Sequence, residues 1–199
     1  VAPREAEFTR GGRSILMKIT LTPCPREHMA AARRLYNTAF PKEERAPFFF
    51  LKARAKKGRA QLLAALDGER FAGLAYVVTL GDMTYLFYLA VAEELRGRGV
   101  GGAIIAALRE RYPQSRIFLS REQLDENAKN LPQRVARREF YLKNGFTDMG
   151  ACVQEAKMTY DVMGIGGRVS PQEYDRLITS WSGRLVRGLF AMRLYEVEE

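Results

Sequence analysis

Two cysteines and a single histidine are all that the 199-residue sequence offers in thiolate or imidazole ligands. Cys24 and Cys152 cannot build a disulfide framework or a zinc site. As free thiols they fit a reducing compartment, so a cytoplasmic location is expected. His28 standing alone excludes a multi-histidine metal centre and leaves little room for a Ser/His/Asp triad. It reads as an ordinary helix residue, and no metal is expected. No run of about 18 apolar residues occurs, so neither a transmembrane helix nor a membrane partner is expected. An apolar core of a signal peptide is missing too, as are internal repeats and low-complexity blocks. Acidic residues are sparse at the front. The first 60 residues hold fourteen Lys/Arg against five Asp/Glu, which accounts for the whole net charge of +9. That imbalance reads either as attraction to nucleic acid or another polyanion or as a basic tail plus a solvated helix face. The second reading is preferred, and no nucleic-acid partner is expected.

What is present is patterned for one domain. Residues 1–16 are irregular, and Met17-Lys18-Ile19 reads like a natural start, so 1–16 are expected to be a disordered tail or expression remnant. Residues 17–163 read as the folded domain. Residues 164–199 read as a helical extension packed on it, reached through a flexible joint at Gly164, Gly166 and Gly167. Met17–Leu21 alternates as a strand. Pro25 opens a helix whose apolar face is Met29, Ala32, Tyr36, Ala39 and Phe40. A charged connector bounded by Pro41 and Pro47 leads to a second helix from Phe48 to near Gly58, with most of Phe48–Phe50 as core anchors. Three strands follow with short turns, at 61–66, 71–80 and 83–91, and so form an antiparallel meander. A helix from Val100 to Arg111 shows apolar residues at i, i+3, i+4, i+7 and i+8. Arg116–Ser120, reached through that helix, is expected to run parallel to the preceding strand. A polar loop covers 121–130, then a helix spans Leu131–Asn144, ended by Gly145. A hairpin at 146–153 and 156–163 follows. Ser170-Pro171-Gln172-Glu173 is a capping box that starts a helix running to about Trp181. Residues 184–199 carry no clear pattern. The fold class is α/β (α+β), a central, mixed but mostly antiparallel twisted sheet flanked by helices.

The organising stretch is Glu94-Leu95-Arg96-Gly97-Arg98-Gly99-Val100-Gly101-Gly102. Its glycines let the backbone curl toward a ligand, and the helix behind it aims free N–H groups and a positive dipole end at the same point. Arg96 and Arg98 add forked cationic donors. The stretch reads as an anion cradle, best suited to a pyrophosphate. Gly97 and Gly102 have Walker-loop spacing, but Ala103-Ile104 stand where Lys and Ser/Thr are needed, which excludes a triphosphate loop. Gly97, Gly99 and Gly102 also match G-x-G-x-x-G, with Glu122 twenty residues on. Yet Ala92-Glu93-Glu94-Leu95 stand between the strand and the Arg96–Gly102 loop and a meander precedes them, contrary to the dinucleotide fold.

Arg96-Gly97-Arg98-Gly99-Val100-Gly101 matches Arg/Gln-x-x-Gly-x-Gly/Ala, and Tyr141-Leu142-Lys143-Asn144-Gly145-Phe146 matches Tyr-x-x-x-Gly-Phe. With the element order, these motifs make the stretch from Met17 to Asp161 resemble the Gcn5-related N-acetyltransferases (GNAT). The resemblance implies acetyl-CoA as co-substrate and direct attack of a primary amine, from a small molecule or a peptide, in a ternary complex. It implies that backbone groups of Leu89, Ala90 and Val91 bind the pantetheine arm, the Val91 amide serving the thioester oxygen. Amides and side chains of Arg96, Gly97, Arg98, Gly99, Val100, Gly101 and Gly102 would hold the pyrophosphate. Tyr141 is the implied general acid, and Glu122, at the end of a strand, is the candidate base acting through water. Glu43 and Glu44 sit where the family borders its acceptor groove, although a solvated charge run is the preferred reading for them. Arg134 stands where the family often has a pantetheine-binding Asn; Asn127 and Asn130 lie in a longer loop. Arg134, Arg137 and Arg138 share a helix face and could reach the 3′-phosphate of coenzyme A. The competing class is an acyl-CoA-binding protein of the same fold without chemistry. Monomer and homodimer both remain compatible with the sequence.

Overall fold

The three apolar runs and short turns between residues 61 and 91 do produce a meander. In the computed structural model its strands are β2 (Gln61–Asp67), β3 (Arg70–Leu80) and β4 (Met83–Val91). The structure describes residues 9–10, 13–14, 18–155, 158–183 and 192–197. The other strands are β1 (Ile19–Pro23), β5 (Arg116–Glu122), β6 (Thr147–Glu155), β7 (Met158–Ile165) and β8 (Met192–Glu196). The helices are α1 (Met29–Ala39), α2 (Phe48–Lys56), α3 (Val100–Arg111), α4 (Leu131–Lys143) and α5 (Pro171–Ser182). Eight strands form one sheet in the order β8-β6-β7-β5-β4-β3-β2-β1. Most of the expected tail lies outside the described residues; within it, Thr9–Arg10 pairs with Arg13–Ser14. No described helix is long and apolar enough to cross a membrane.

The chain divides into two compact units. Unit one comprises residues 1–77 and 87–113, and unit two comprises 78–86 and 114–199. Unit one carries nineteen Lys/Arg against ten Asp/Glu, whereas unit two carries thirteen of each.

In unit one β1 runs antiparallel to β2, and β2 antiparallel to β3. Helix α3 buries Val100, Ile104, Ile105 and Leu108, the stripe that a 3.6-residue period dictates. Helix α1 buries Ala32, Leu35 and Tyr36. The Phe48–Phe50 run is less of an anchor than its composition suggests. Leu51 is the buried residue of α2, Phe48 and Phe50 are half-buried, and Phe49 is 76% exposed. Successive helical residues are about 100° apart, so three in a row cannot share one face. Phe50 instead receives the Arg54 guanidinium 4.7 Å from its ring centre.

In unit two, residues Met83–Tyr85 of β4 pair with Arg116–Phe118 of β5 in parallel, as the intervening helix requires. Strand β7 is antiparallel to both β5 and β6. Two expectations are corrected here. Gly164 is not a joint; it lies inside β7, opposite Phe118 and Thr147. Nor is the stretch after residue 163 only helical, because β8 pairs antiparallel with β6, from Met192↔Glu155 to Glu196↔Ala151. Residues 184–191, part of the unpatterned stretch, lie outside the described residues.

The start of α5 is fixed by its capping box. Ser170 Oγ accepts from the Glu173 amide, and the Glu173 carboxylate accepts from the Ser170 amide. Glu173 does a second job. Arg116 Nη2 donates to Glu173 Oε1 at 2.7 Å, while its Nε and Nη2 donate to Asp82 and its Nη1 to the Arg168 carbonyl. One guanidinium thereby ties the β3–β4 turn to the first turn of α5. Above it, Tyr85 stacks on Phe118 at 4.9 Å and meets Tyr174 edge-on at 5.7 Å.

Hydrogen bonding to Arg116 holds the Glu173 carboxyl at about 2, against an ordinary 4.5. A depressed carboxyl stabilises the fold in full above about 4.5 and loses that contribution as pH falls toward 2. Glu173→Gln keeps a capping acceptor but drops the charge. It is expected to lower the neutral-pH Tm by about 2–4 °C. Its stability should also depend less on pH below 4.5 than that of the unmodified chain, as melts across that range will read.

Candidate active site

The cradle expected at the glycine stretch lies in unit one. A single 3₁₀ turn, Glu93–Leu95, links β4 to the loop. Gly97 (φ 72°) and Gly99 (φ 79°) adopt left-handed backbone, which only glycine takes up without strain. Gly99 is the N-cap of α3, and the first intrahelical bond runs from the Ala103 amide to the Gly99 carbonyl. The amides of Gly97, Arg98, Gly99, Val100, Gly101 and Gly102 therefore donate to no described backbone acceptor. Five of the six belong to exposed or half-buried residues; Val100 points its side chain into the core. Six consecutive free donors at a helix N-terminus are suited to multiply charged phosphate oxygens.

The two arginines behave differently. Arg96 donates from Nε to the Val91 carbonyl at 3.3 Å and so staples the loop back onto β4. Arg98 is exposed and makes no hydrogen bond or ion pair with a described residue, which leaves its guanidinium available to a ligand.

Along β4, Leu89 and Val91 are half-buried and Ala90 is buried. The strand takes its shape here from a residue that sequence reasoning passed over. A Cβ added to Gly73 of β3 would stand 2.5 Å from the Ala90 carbonyl oxygen, 3.1 Å from Ile104 Cδ1 and 3.3 Å from Val91 Cα. A glycine inside a strand pattern is the available signal for such a close approach. On β4 the Tyr88 hydroxyl accepts from the Ala46 amide and donates to the Glu44 carbonyl, each at 3.1 Å. The Tyr36 hydroxyl donates to the Ala46 carbonyl at 2.9 Å. Two buried tyrosines thus pin the 41–47 connector beside Leu89–Val91.

Tyr141 and Glu122 lie in unit two. Tyr141 is half-buried on α4, between Phe140 (ring centres 5.1 Å apart) and Phe146 (5.4 Å). Its hydroxyl makes no hydrogen bond with a described residue. Burial pushes the phenol up to about 12, and the charge of Arg137 pulls the other way. It is protonated throughout the neutral range, as a proton donor must be.

Glu122 is placed differently from the free carboxylate that a base requires. It is buried at the end of β5, with Oε1 accepting from Asn130 Nδ2 at 3.1 Å and forming an ion pair with the Arg134 guanidinium, whose Nη2 lies 3.1 Å away. Oε2 accepts from Arg137 Nη1 at 2.8 Å. Arg134 also donates to the Asn130 side chain and the Gln123 carbonyl. Arg138 donates to Asp148 Oδ2 at 2.6 Å. The three arginines considered for a 3′-phosphate are therefore all engaged by protein acceptors. Among the described residues no group of three His, Cys, Asp or Glu is placed to hold a metal ion.

Residues 58–148 match the family model of the Acetyltransferase (GNAT) domain. This segment, somewhat less than half of the chain, is similar to the GNAT acetyltransferase domain. All of Leu89–Gly102, Glu122 and Tyr141 fall within the matched segment. No curated protein matches in sequence. Solved structures share the fold at low identity. A protein from Bacteroides thetaiotaomicron, assigned to the GNAT family of acetyltransferases, aligns with TM-score 0.64 and 19% identity over 86% of this chain and 98% of its own. An aminoglycoside 6′-N-acetyltransferase complexed with coenzyme A aligns with TM-score 0.55 and 17% identity over 75% and 99%. Arabidopsis thaliana Naa50, in complex with the bisubstrate analogue CoA-Ac-MVNAL, gives TM-score 0.52 and 16% identity over 74% and 98%.

Within the matched segment Gly73 is a point of no tolerance. Gly73→Ala forces the Ala90–Val91 backbone or Ile104 to move and is expected to destabilise by about 1–3 kcal/mol. Differential scanning fluorimetry should also find that coenzyme A raises the Tm of the variant less than that of the unmodified chain. An equal rise would show that the Ala90–Val91 backbone plays no part in ligand binding.

Proposed function

We propose that the protein is an acetyl-CoA-dependent N-acetyltransferase that acetylates a primary amine by direct attack in a ternary complex. The observation that carries this reading is the run of six free amides from Gly97 to Gly102, with the uncommitted Arg98 guanidinium beside it. The pyrophosphate of coenzyme A offers the oxygens that such a donor set is shaped to take. The backbone of Leu89, Ala90 and Val91 aligns the pantetheine arm, and the Val91 amide donates to the thioester oxygen as negative charge develops there.

The neutral amine nitrogen attacks the thioester carbonyl carbon, and a C–N bond forms. The C–S bond then breaks. The departing thiolate takes the Tyr141 phenol proton, leaving coenzyme A as free thiol. The nitrogen loses its extra proton to water, and Tyr141 is reprotonated from solvent. The balance is one amine and one acetyl-CoA in, one amide and one thiol out. A phenol at about 12 is a weaker acid than an alkyl thiol at about 8.5, so the proton moves uphill, and the Arg137 charge, which favours the phenolate, works in the direction of the transfer. The acceptor is a small-molecule or peptide amine, and the reaction needs no metal.

Acetyl-CoA should raise the Tm by several degrees and NAD should not. A panel of polyamines, aminoglycosides and peptides with free N-termini, read by thiol release, identifies the acceptor. An unmoved Tm at saturating acetyl-CoA rules the reading out. Arg98→Ala removes one charge-assisted contact and is expected to weaken acetyl-CoA binding by about five- to tenfold. Calorimetry should find the loss smaller at high salt. Tyr141→Phe is expected to cut kcat by about a hundredfold while acetyl-CoA binding stays near normal.

A further inference from the structure

Glu122 is a buried carboxylate with two guanidinium groups and one amide nitrogen on it. Its partners are spaced along one helix. Asn130 is the N-cap of α4, Arg134 lies in the first turn, and Arg137 comes one turn further. Tyr141 follows Arg137 by four residues, hence on the same face. A single strand-end carboxylate thus grips α4 at three successive points of the stripe that ends at Tyr141. Breaking such a buried pair leaves an uncompensated charge, so the grip resists helix rotation.

Resting on the acid role proposed for Tyr141, we infer that Glu122 is a positioning residue for the transfer step. Through Arg134 and Arg137 it sets the axial rotation of α4, and with it the place of the Tyr141 phenol. Arg137 adds a cation beside the phenol, which favours the phenolate as the proton moves to the leaving sulfur. This replaces the base role that a strand-end glutamate suggests. The electrostatics agree: Arg137 is the one charge that opposes the effect of burial on Tyr141. Arg137 itself is 45% exposed, so it can be replaced with less risk to the fold than Glu122.

The test uses the full chain, acetyl-CoA, and whichever amine gives turnover in the panel. Glu122→Gln and Arg137→Met are each expected to lower kcat about tenfold, the scale of a small misplacement of a reacting group. The KM for acetyl-CoA should stay within about twofold, since the cradle lies elsewhere in the chain. Arg137→Lys, which keeps the cation, should retain at least half of kcat. The deciding measurement is the same pair of substitutions made in Tyr141→Phe. If Glu122 and Arg137 act through the phenol, they cost little more once it is gone, less than about twofold. A merely structural effect would instead multiply, and a full tenfold further loss in that background overturns the inference. Should Glu122→Gln fail to fold, the Arg137 series answers alone. If Tyr141→Phe is crippled while Glu122→Gln and Arg137→Met turn over within twofold of the unmodified chain, the positioning role is wrong and the acid role stands. If Tyr141→Phe is fully active, or no amine releases thiol, the acid or transferase reading fails first and takes this one with it.

Discussion

The missing side chain of Gly73 is the constraint on which the amide cradle of unit one depends. The β4 backbone at Ala90 and Val91 and a helix side chain converge on the space where its Cβ would be. Because that space is empty, the Ala90 carbonyl can turn inward and Ile104 can sink beneath it. The depth of Ile104 fixes how far α3 lies against the sheet, and the N-terminus of α3 carries half of the amide cradle. Arg96, bound to the Val91 carbonyl, closes the loop between strand and helix. Strand, loop and helix are thereby held to one another by a close approach at one end and a hydrogen bond at the other. Little of this requires the ligand to be there, which is what preorganisation means in energetic terms.

Much of the fold was legible because it rests on local periodicity. The bounds of β4 and α3, the Asp67-Gly68 turn and the capping box at Ser170 all follow from short-range chemistry, and all stand where expected. Local reading failed where partners far apart in sequence decide. Met192–Glu196 has only a brief alternation of apolar and polar residues, and its pairing with β6 is settled by tertiary packing. The triple phenylalanine was misjudged for a geometric reason, since composition says core while helical angle sends one ring outward.

The candidate site divides along the same line. A backbone cradle can be read from glycine spacing because its donors belong to the chain itself. A carboxylate at a strand end is ambiguous, since a base and an ion-pair partner have the same local sequence. What separates them is the rotation of α4, set by contacts such as Tyr141 against Phe146, which no spacing rule contains. Arg134, Arg137 and Arg138 illustrate the point. They do share a face, and their guanidinium groups meet Glu122, Asn130 and Asp148 there, even though Arg137 stays exposed.

The partition of charge between the two units has a kinetic consequence. All nine net positive charges belong to the unit that carries the amide cradle, and the other unit is neutral. A multiply charged anion approaching the protein feels that field before it touches any donor, out to about a Debye length, roughly 8 Å at physiological salt. Encounters are drawn toward one unit rather than spread over the surface, and the association rate falls as ionic strength rises. For the proposed anionic ligand, contacts inside the cradle would govern how long it stays, while the lopsided charge would govern how often it arrives.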